Sequence, residues 1–285
     1  MNYLPYALAS PILMAIANVI QKLVVSDDKI HGGVFAGAFG LLVAILTLPF
    51  AIFTEQFSLQ MFSLSVILTL FFMTGLYAVA MWGFFTSMKH VPISEIVFLE
   101  SATPLWVLFG SVLFLGESFH YNKLIGVILV TLGILIAFCF KGTKRWTRYH
   151  TLGLASGALY AGAYMTDKYL LHFLPTLFYQ VLSFGLPSAT LLIFFHNKIS
   201  DLHYFVVNKK ARRIIWSSVF AGLSFYSLFR AYQISGEVSR VNPIFETKAL
   251  WVMIFGIVLL KERENMFRKV VGIFLALGGI LLVNG

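Results

Sequence analysis

Ten stretches of mostly apolar residues, separated by short polar segments, divide the chain. Most have close to the ~20 residues that a helix needs to cross the hydrocarbon core of a bilayer. The pattern therefore predicts an all-α polytopic membrane protein with ten transmembrane helices. The predicted spans are residues 4–24, 33–53, 62–87, 92–115, 120–140, 151–171, 175–195, 213–234, 238–260 and 266–284.

The same pattern occurs twice along the chain. Ala9-Ser10 and Lys22 of the first span align with Ala155-Ser156 and Lys168 of the sixth. Leu105-Trp106 and Glu117 of the fourth align in the same way with Leu250-Trp251 and Glu262 of the ninth. The matches predict two repeats, residues 1–143 and 144–285. Because five spans are an odd number, the two copies cross the membrane in opposite directions, as in many secondary transporters.

The composition excludes a water-soluble globule. Hydrophobic residues make up 59% of the chain and charged residues only 12%, against about 25% in soluble domains. The net charge of +9 comes mainly from loops between apolar runs, which indicates contact with anionic lipid rather than with nucleic acid. The single cysteine, Cys139, leaves no intramolecular disulfide and no cysteine-built metal site, and we expect no cofactor.

The distribution of lysine and arginine predicts the orientation. Most of the 21 lie in the loops after odd-numbered spans, whereas the opposite side holds only Lys123, Lys168, Arg230 and Arg240. Because basic residues favour the cytoplasmic side, both termini are expected outside the cytoplasm. The expected location is the cytoplasmic membrane of a prokaryote, and the oligomeric state is left open.

Two segments carry a resemblance to a known family. In LFLGESFHYNKLIGVILVTLGILI (residues 113–136) and IVLLKERENMFRKVVGIFLALGGILL (residues 257–282), a helix ends in Leu-x-Glu before a glycine-containing helix. With the ten spans in two halves, the chain resembles the EamA family of the drug/metabolite transporter superfamily. The resemblance implies transport of small metabolites, amino acids included, often as export. It also implies a cavity between the halves, peripheral fifth and tenth helices, and cytoplasmic termini, against the basic-residue count.

Glu100 and Glu246 are the first candidates for function. Each lies near the middle of an apolar span, where a charge costs roughly 2.5–3.5 kcal/mol on insertion scales. Such a carboxylate either binds a substrate ammonium or a proton, or forms an internal ion pair that fixes helix packing. We predict a role in substrate binding or coupling for both.

Lys248 is two residues beyond Glu246, which is about 200° around a continuous helix. The two side chains are therefore expected to point in different directions. Asn242 is four residues before Glu246 and shares its face, so we place Asn242 and Glu246 on the cavity side. Lys248 then contacts another helix, or is itself the inward residue and binds a substrate carboxylate.

Other polar side chains complete the candidate site. Arg230 either guards the mouth of a cavity or pairs with Glu246. Asn18, Tyr164 and Trp82 supply polar or aromatic groups inside predicted spans. Asp167 and Lys168 are interpreted as the end of the sixth helix, where long basic side chains reach toward the headgroups.

Motifs for ATP binding or hydrolase chemistry are not found, which favours a transporter over an enzyme. The main hypothesis is a secondary active transporter that exports small polar or zwitterionic metabolites such as amino acids. It works by alternating access around a central site, with protons as the coupling ion. The alternatives are a drug or lipid-headgroup carrier of the same superfamily, and a membrane protein that binds or assembles with a partner without transport.

Overall fold

The computed structural model describes residues 2–25, 30–56, 58–91, 96, 99–100, 102–138, 146–203, 210–260 and 266–284. In these ranges the regular structure is helical and no strand is present, so the protein is all-α. The helices are α1 (Leu4–Val25), α2 (Gly32–Thr54), α3 (Leu64–His90), α4 (Thr103–Leu115), α5 (Tyr121–Phe138), α6 (Arg148–Phe173), α7 (Thr176–Phe194), α8 (Lys210–Ser235), α9 (Val238–Glu246), α10 (Lys248–Leu260) and α11 (Met266–Asn284).

Five of the helices are long and apolar enough to cross a membrane: α1, α2, α3, α7 and the part of α8 from Ala211 to Ser235. Large apolar side chains cover their outer faces, and Phe53 at the end of α2 is 87% exposed. Helices suit this environment because each backbone N–H and C=O is bonded within its own segment. The outward apolar faces are suited to contact with lipid.

The prediction of one continuous ninth span, residues 238–260, is wrong. The segment forms two helices, α9 and α10, that meet at Thr247. The predicted fourth span also has an interruption, because Glu100 is helical but α4 starts only at Thr103. Most other helices begin and end within three residues of their predicted bounds.

The helices pack in specific pairs. The most extensive contacts join α5 with α11, α2 with α7, α1 with α8 and α3 with α6. Further contacts join α1 with α10 and α4 with α6. The two helices that follow the interruptions, α10 and α4, therefore pack against α1 and α6.

Glycines allow α5 and α11 to come unusually close. A Cβ atom built on Gly279 of α11 would lie 2.5 Å from the carbonyl oxygen of Gly126 in α5. A Cβ on Gly133 of α5 would lie 2.6 Å from the carbonyl oxygen of Gly272 in α11. The two backbones are thus in contact, an arrangement that small residues permit in membrane helices.

We expect Gly279→Ala to destabilise the protein by about 1–3 kcal/mol, because the new methyl group must push the two backbones apart. Gly278 is the matched control, since a Cβ there has no neighbour within 4 Å. Gly278→Ala should change stability by less than about 1 kcal/mol, in the stabilising direction. Thermal unfolding in detergent measures both variants. Equal melting temperatures for the two would contradict the close contact of α5 and α11.

Candidate functional site

A partly open cavity lies among the helices, with about 530 Å³ of space between atoms when open solvent is included. Its walls come from α1, α2, α3, α6, α7 and α8, with one residue each from α9 and α10. No described residue of the α5–α11 pair lines it. Most of the lining side chains are aromatic, and the polar exceptions are Asn18, Glu100, Ser183 and Lys248.

Two charged side chains, Glu100 and Lys248, line the cavity, and a third, Glu246, contacts Lys248 from outside the lining. The Lys248 Nζ lies 3.0 Å from Oε2 of Glu246 and 3.6 Å from Oε2 of Glu100. The three side chains are at most 7% exposed. The sequence identified all three residues, and the structure assembles them into one ion cluster.

The expectation that Glu246 and Lys248 point in different directions is wrong. The N–H and the hydroxyl of Thr247 both donate to the Ile244 carbonyl, at 3.1 and 2.6 Å. The Leu250 N–H donates to the Thr247 carbonyl at 2.9 Å, so the bonds here span three residues instead of four. This tight turn interrupts the helix, and the rotation of 100° per residue does not continue from Glu246 to Lys248.

The cluster holds two acidic groups and one basic group. Charges inside a membrane are tolerated when they pair with one another, and Lys248 supplies a partner for both carboxylates. Its ammonium group also lies over the ring of Phe245, 4.5 Å from the centroid, where a cation is attracted by the π electrons. With every group ionised, one negative charge remains, and a proton or a bound cation can neutralise it.

Comparison with known proteins identifies the family. Residues 1–139 and 147–285 each match the EamA-like transporter family. The chain belongs to this family. An uncharacterized transporter from Archaeoglobus fulgidus is 27% identical over 257 residues, which are 89% of this chain and 85% of the relative. A solved crystal structure of a protein with 13% identity shares the fold at a TM-score of 0.70, over 97% of this chain and 98% of that one.

This EamA-family protein is therefore an integral membrane protein, and two further candidates lie in its cavity. Asn18 of α1 is 2% exposed, and its side-chain oxygen has no hydrogen-bond partner among the described residues. Tyr164 of α6 packs edge-on against Phe245, with ring centroids 6.1 Å apart. The unpartnered amide oxygen of Asn18, on the same cavity lining as Glu100 and Lys248, can accept a hydrogen bond from a ligand.

Three other candidates do not line the cavity, and neither does Glu246, which was expected on it together with Asn242. Trp82 stacks on Phe195 near one end of the helices. Arg230 donates to Gln233 at 2.9 Å on its own helix, so the alternative that it pairs with Glu246 is wrong. Asn242 is fully buried, yet it lies outside the cavity lining on which it was expected.

The sequence interpretation missed Asp167. It is not at the end of α6 but 0% exposed inside it, and it accepts hydrogen bonds from the hydroxyl groups of Tyr77, at 2.6 Å, and Tyr179. The sequence could have identified Asp167 in the same way as Glu246, because both are acidic residues within a predicted apolar span. The neighbouring Lys168 pairs instead with Glu117 at 2.9 Å.

Glu117, in the turn after α4, connects α4 with α6 and α9. Its carboxylate accepts from the first N–H groups of α9, those of Val238 at 2.7 Å and Ser239 at 3.1 Å, and from the Ser239 hydroxyl. Burial alone would raise the pKa of Glu117. The hydrogen bonds from Ser239, Lys168 and Val238 outweigh burial, so the pKa lies below its ordinary value.

We expect Glu117→Gln to lower stability at neutral pH by about 2–4 kcal/mol, because Lys168 and the start of α9 lose an ionised partner. A lowered pKa means that the carboxylate stabilises the fold above its unfolded-state pKa of about 4.3 and loses this effect as the pH falls through its folded-state pKa. Melting curves of the variant and the wild type should therefore converge in acid. Ser239→Ala is the control, since it removes one donor and should retain most of the pH dependence. A constant difference down to about pH 3 would contradict this assignment.

Proposed function

We propose that this protein is a secondary active transporter that exports small metabolites carrying an ammonium group, amino acids among them, by alternating access around the cavity. The observation that supports this most is the cluster of Glu100, Glu246 and Lys248, in which Glu100 and Lys248 line an aromatic cavity. The cluster has one more acidic group than basic groups. A substrate ammonium would restore the charge balance, and it would gain both a carboxylate partner and aromatic surface.

We propose protons as the coupling ion. A proton on one carboxylate removes the same excess charge as a bound ammonium, so the two compete for the cluster. A cluster that holds one of them at a time exchanges substrate for proton when the cavity changes its accessible side. Outward movement of substrate is then driven by inward movement of protons.

The aromatic walls favour an apolar body on the substrate. Phe84, Tyr160, Phe225 and Phe245 line the same cavity as Lys248. An organic cation over aromatic rings gains about 0.5–2 kcal/mol when it is desolvated. The same walls favour a second candidate, a carrier of hydrophobic cationic drugs, which differs from the first in tolerating substrates without a carboxylate.

We infer that the two family matches are inverted repeats of five helices. If each helix is replaced by its counterpart in the other half, the α1–α8 contact becomes α3–α6 and the α1–α10 contact becomes α4–α6. The α2–α7 and α5–α11 contacts stay the same. Thr103 and Lys248, which start α4 and α10, are equivalent in the sequence alignment of the repeats. Such a pair of halves suits rocking around a shared site.

Glu100→Gln and Glu246→Gln are each expected to reduce transport of an amine by at least roughly tenfold, since a loss of about 1.4 kcal/mol in binding corresponds to that factor. Uptake by reconstituted vesicles is measured with radiolabelled phenylethylamine, phenylalanine and phenylpropionate, which differ in charge. We expect transport of the first two and not of the third. Glu55→Gln, which changes a carboxylate that caps α7 outside the cavity, is the control. Wild-type flux in both cavity variants, or preference for phenylpropionate, would refute the proposed chemistry.

We propose that both termini lie outside the cytoplasm, as the distribution of lysine and arginine predicts. Fusion of alkaline phosphatase to Gly285 in a bacterial host should give active enzyme, because this enzyme matures outside the cytoplasm. Fusion of green fluorescent protein at the same place should stay dark. The reverse pair of results would show cytoplasmic termini.

A further inference from the structure

Asp167 is a carboxyl group buried away from the ion cluster. Its two oxygens accept hydrogen bonds from two tyrosines on different helices, Tyr77 of α3 and Tyr179 of α7. Among the described residues no lysine, arginine or histidine forms a salt bridge with it. Asp167 therefore differs from Glu100 and Glu246, which share Lys248.

A lone carboxylate in a membrane interior is expensive. Transfer of an unpaired charge into a medium of low polarity costs so much that such groups bind a proton instead. Two tyrosine hydroxyls lower this cost, but both donors are neutral. A protonated Asp167 can keep both contacts, because a tyrosine oxygen also accepts a hydrogen bond from the carboxyl group.

Tyr77 connects Asp167 with the cavity. Tyr77 lines the cavity, and its hydroxyl donates to Asp167. Tyr77 is followed along the wall by Tyr160 and Tyr164, with successive ring centroids 6.0 Å apart. A single hydrogen bond therefore separates Asp167 from a side chain that reaches the cavity.

The other described ionisable groups around Asp167 are either neutral or paired with another residue. Tyr232 of α8 is buried and, like other tyrosines, neutral at ordinary pH. The next residue, Lys168, is engaged by Glu117, which follows α4. Glu246, at the end of α9, is paired with Lys248. The protonation of Asp167 thus depends mainly on its burial and on Tyr77 and Tyr179.

We propose that Asp167 is a second proton-binding site, which exchanges its proton with the cavity through the hydroxyl group of Tyr77. A hydronium ion in the cavity gives a proton to the Tyr77 oxygen while the hydroxyl proton of Tyr77 passes to Oδ2 of Asp167. Water remains in the cavity, Tyr77 is restored, and Asp167 becomes neutral. Its position in the first repeat is taken by Gln21, which cannot titrate.

The site lies at a contact between the two halves. Tyr77 belongs to the first family match, whereas Asp167 and Tyr179 belong to the second. Loss or gain of the proton changes the hydrogen bond between Tyr77 and Asp167 from one with a charged acceptor to one between neutral groups, which is about half as strong. Proton binding here therefore alters how firmly α3 holds α6. This role in transport rests on the proposed function, but proton binding itself does not.

Infrared spectra of the purified protein in lipid nanodiscs test proton binding without any substrate. The wild type should show a protonated carboxyl band that disappears as the pH is raised, and Asp167→Asn should lack it. Asparagine has the size of aspartate and keeps a hydrogen-bond acceptor for a tyrosine, so a merely structural Asp167 predicts the same titration in both proteins. An unchanged set of titrating bands in the variant would overturn the proposal.

Two further variants separate the steps. Tyr77→Phe should retain the band of Asp167 but slow its appearance after a pH jump by roughly tenfold or more. Tyr179→Phe, which removes the donor that does not line the cavity, should leave that rate near the wild-type value. Equal rates in wild type and Tyr77→Phe would refute the path through Tyr77.

Flux of phenylethylamine then tests the role in transport. In the wild type it should change with pH by up to roughly tenfold per unit, as expected for one bound proton, and Asp167→Asn should weaken this dependence. A pH profile identical to the wild type would refute the coupling role. If Glu100→Gln loses amine flux but keeps the infrared titration of Asp167, the ion cluster and Asp167 are two separate sites. Absence of amine flux in the wild type refutes the proposed function and leaves the infrared result to decide on Asp167.

Discussion

The pairing of one buried ammonium group with two buried carboxylates is the constraint on which the cavity depends. An unpaired charge inside a membrane is costly, and Glu100, Glu246 and Lys248 reduce that cost by pairing with one another. On a continuous helix Glu246 and Lys248 would be about 200° apart. The interruption at Thr247 removes this obstacle, and a similar break precedes α4. The interruption at Thr247 thus lies between the two residues of α9 and α10 that form the ion pair.

Helix ends impose a second constraint, because their first N–H groups lack partners in the helix. The protein satisfies them with carboxylates from distant parts of the chain. Glu117 bonds to the first turn of α9, and Glu55 bonds to the N–H groups of Leu177 and Phe178 in α7. Each carboxylate gains from the positive end of the helix dipole. The same bonds connect segments that must separate if this side of the molecule opens.

The sequence predicted the helices well and the site only in part. The bounds of α1 and α7 follow from the apolar runs, because the thickness of a bilayer fixes the length of a span. Glu100, Glu246 and Lys248 stand out as charges in such runs. Their contact did not follow, since the helical rotation rule assumes that no turn intervenes. Nor did the surroundings of Asp167, whose partners Tyr77 and Tyr179 are fixed by packing between helices and not by any local pattern.

Lys248 changes how readily the two carboxylates of the cluster bind and release a proton. Two carboxylates near one another without a cation would each favour a proton, and neither would release it readily. With Lys248 between them, one carboxylate stays ionised and only the other needs a proton or a substrate ammonium. In the proposed mechanism, substrate and proton then replace one another when the cavity opens to either side. The carboxyl group of Asp167 has no lysine partner among the described residues. In our proposal its protonation therefore depends on the hydrogen bond with Tyr77, which joins the two halves.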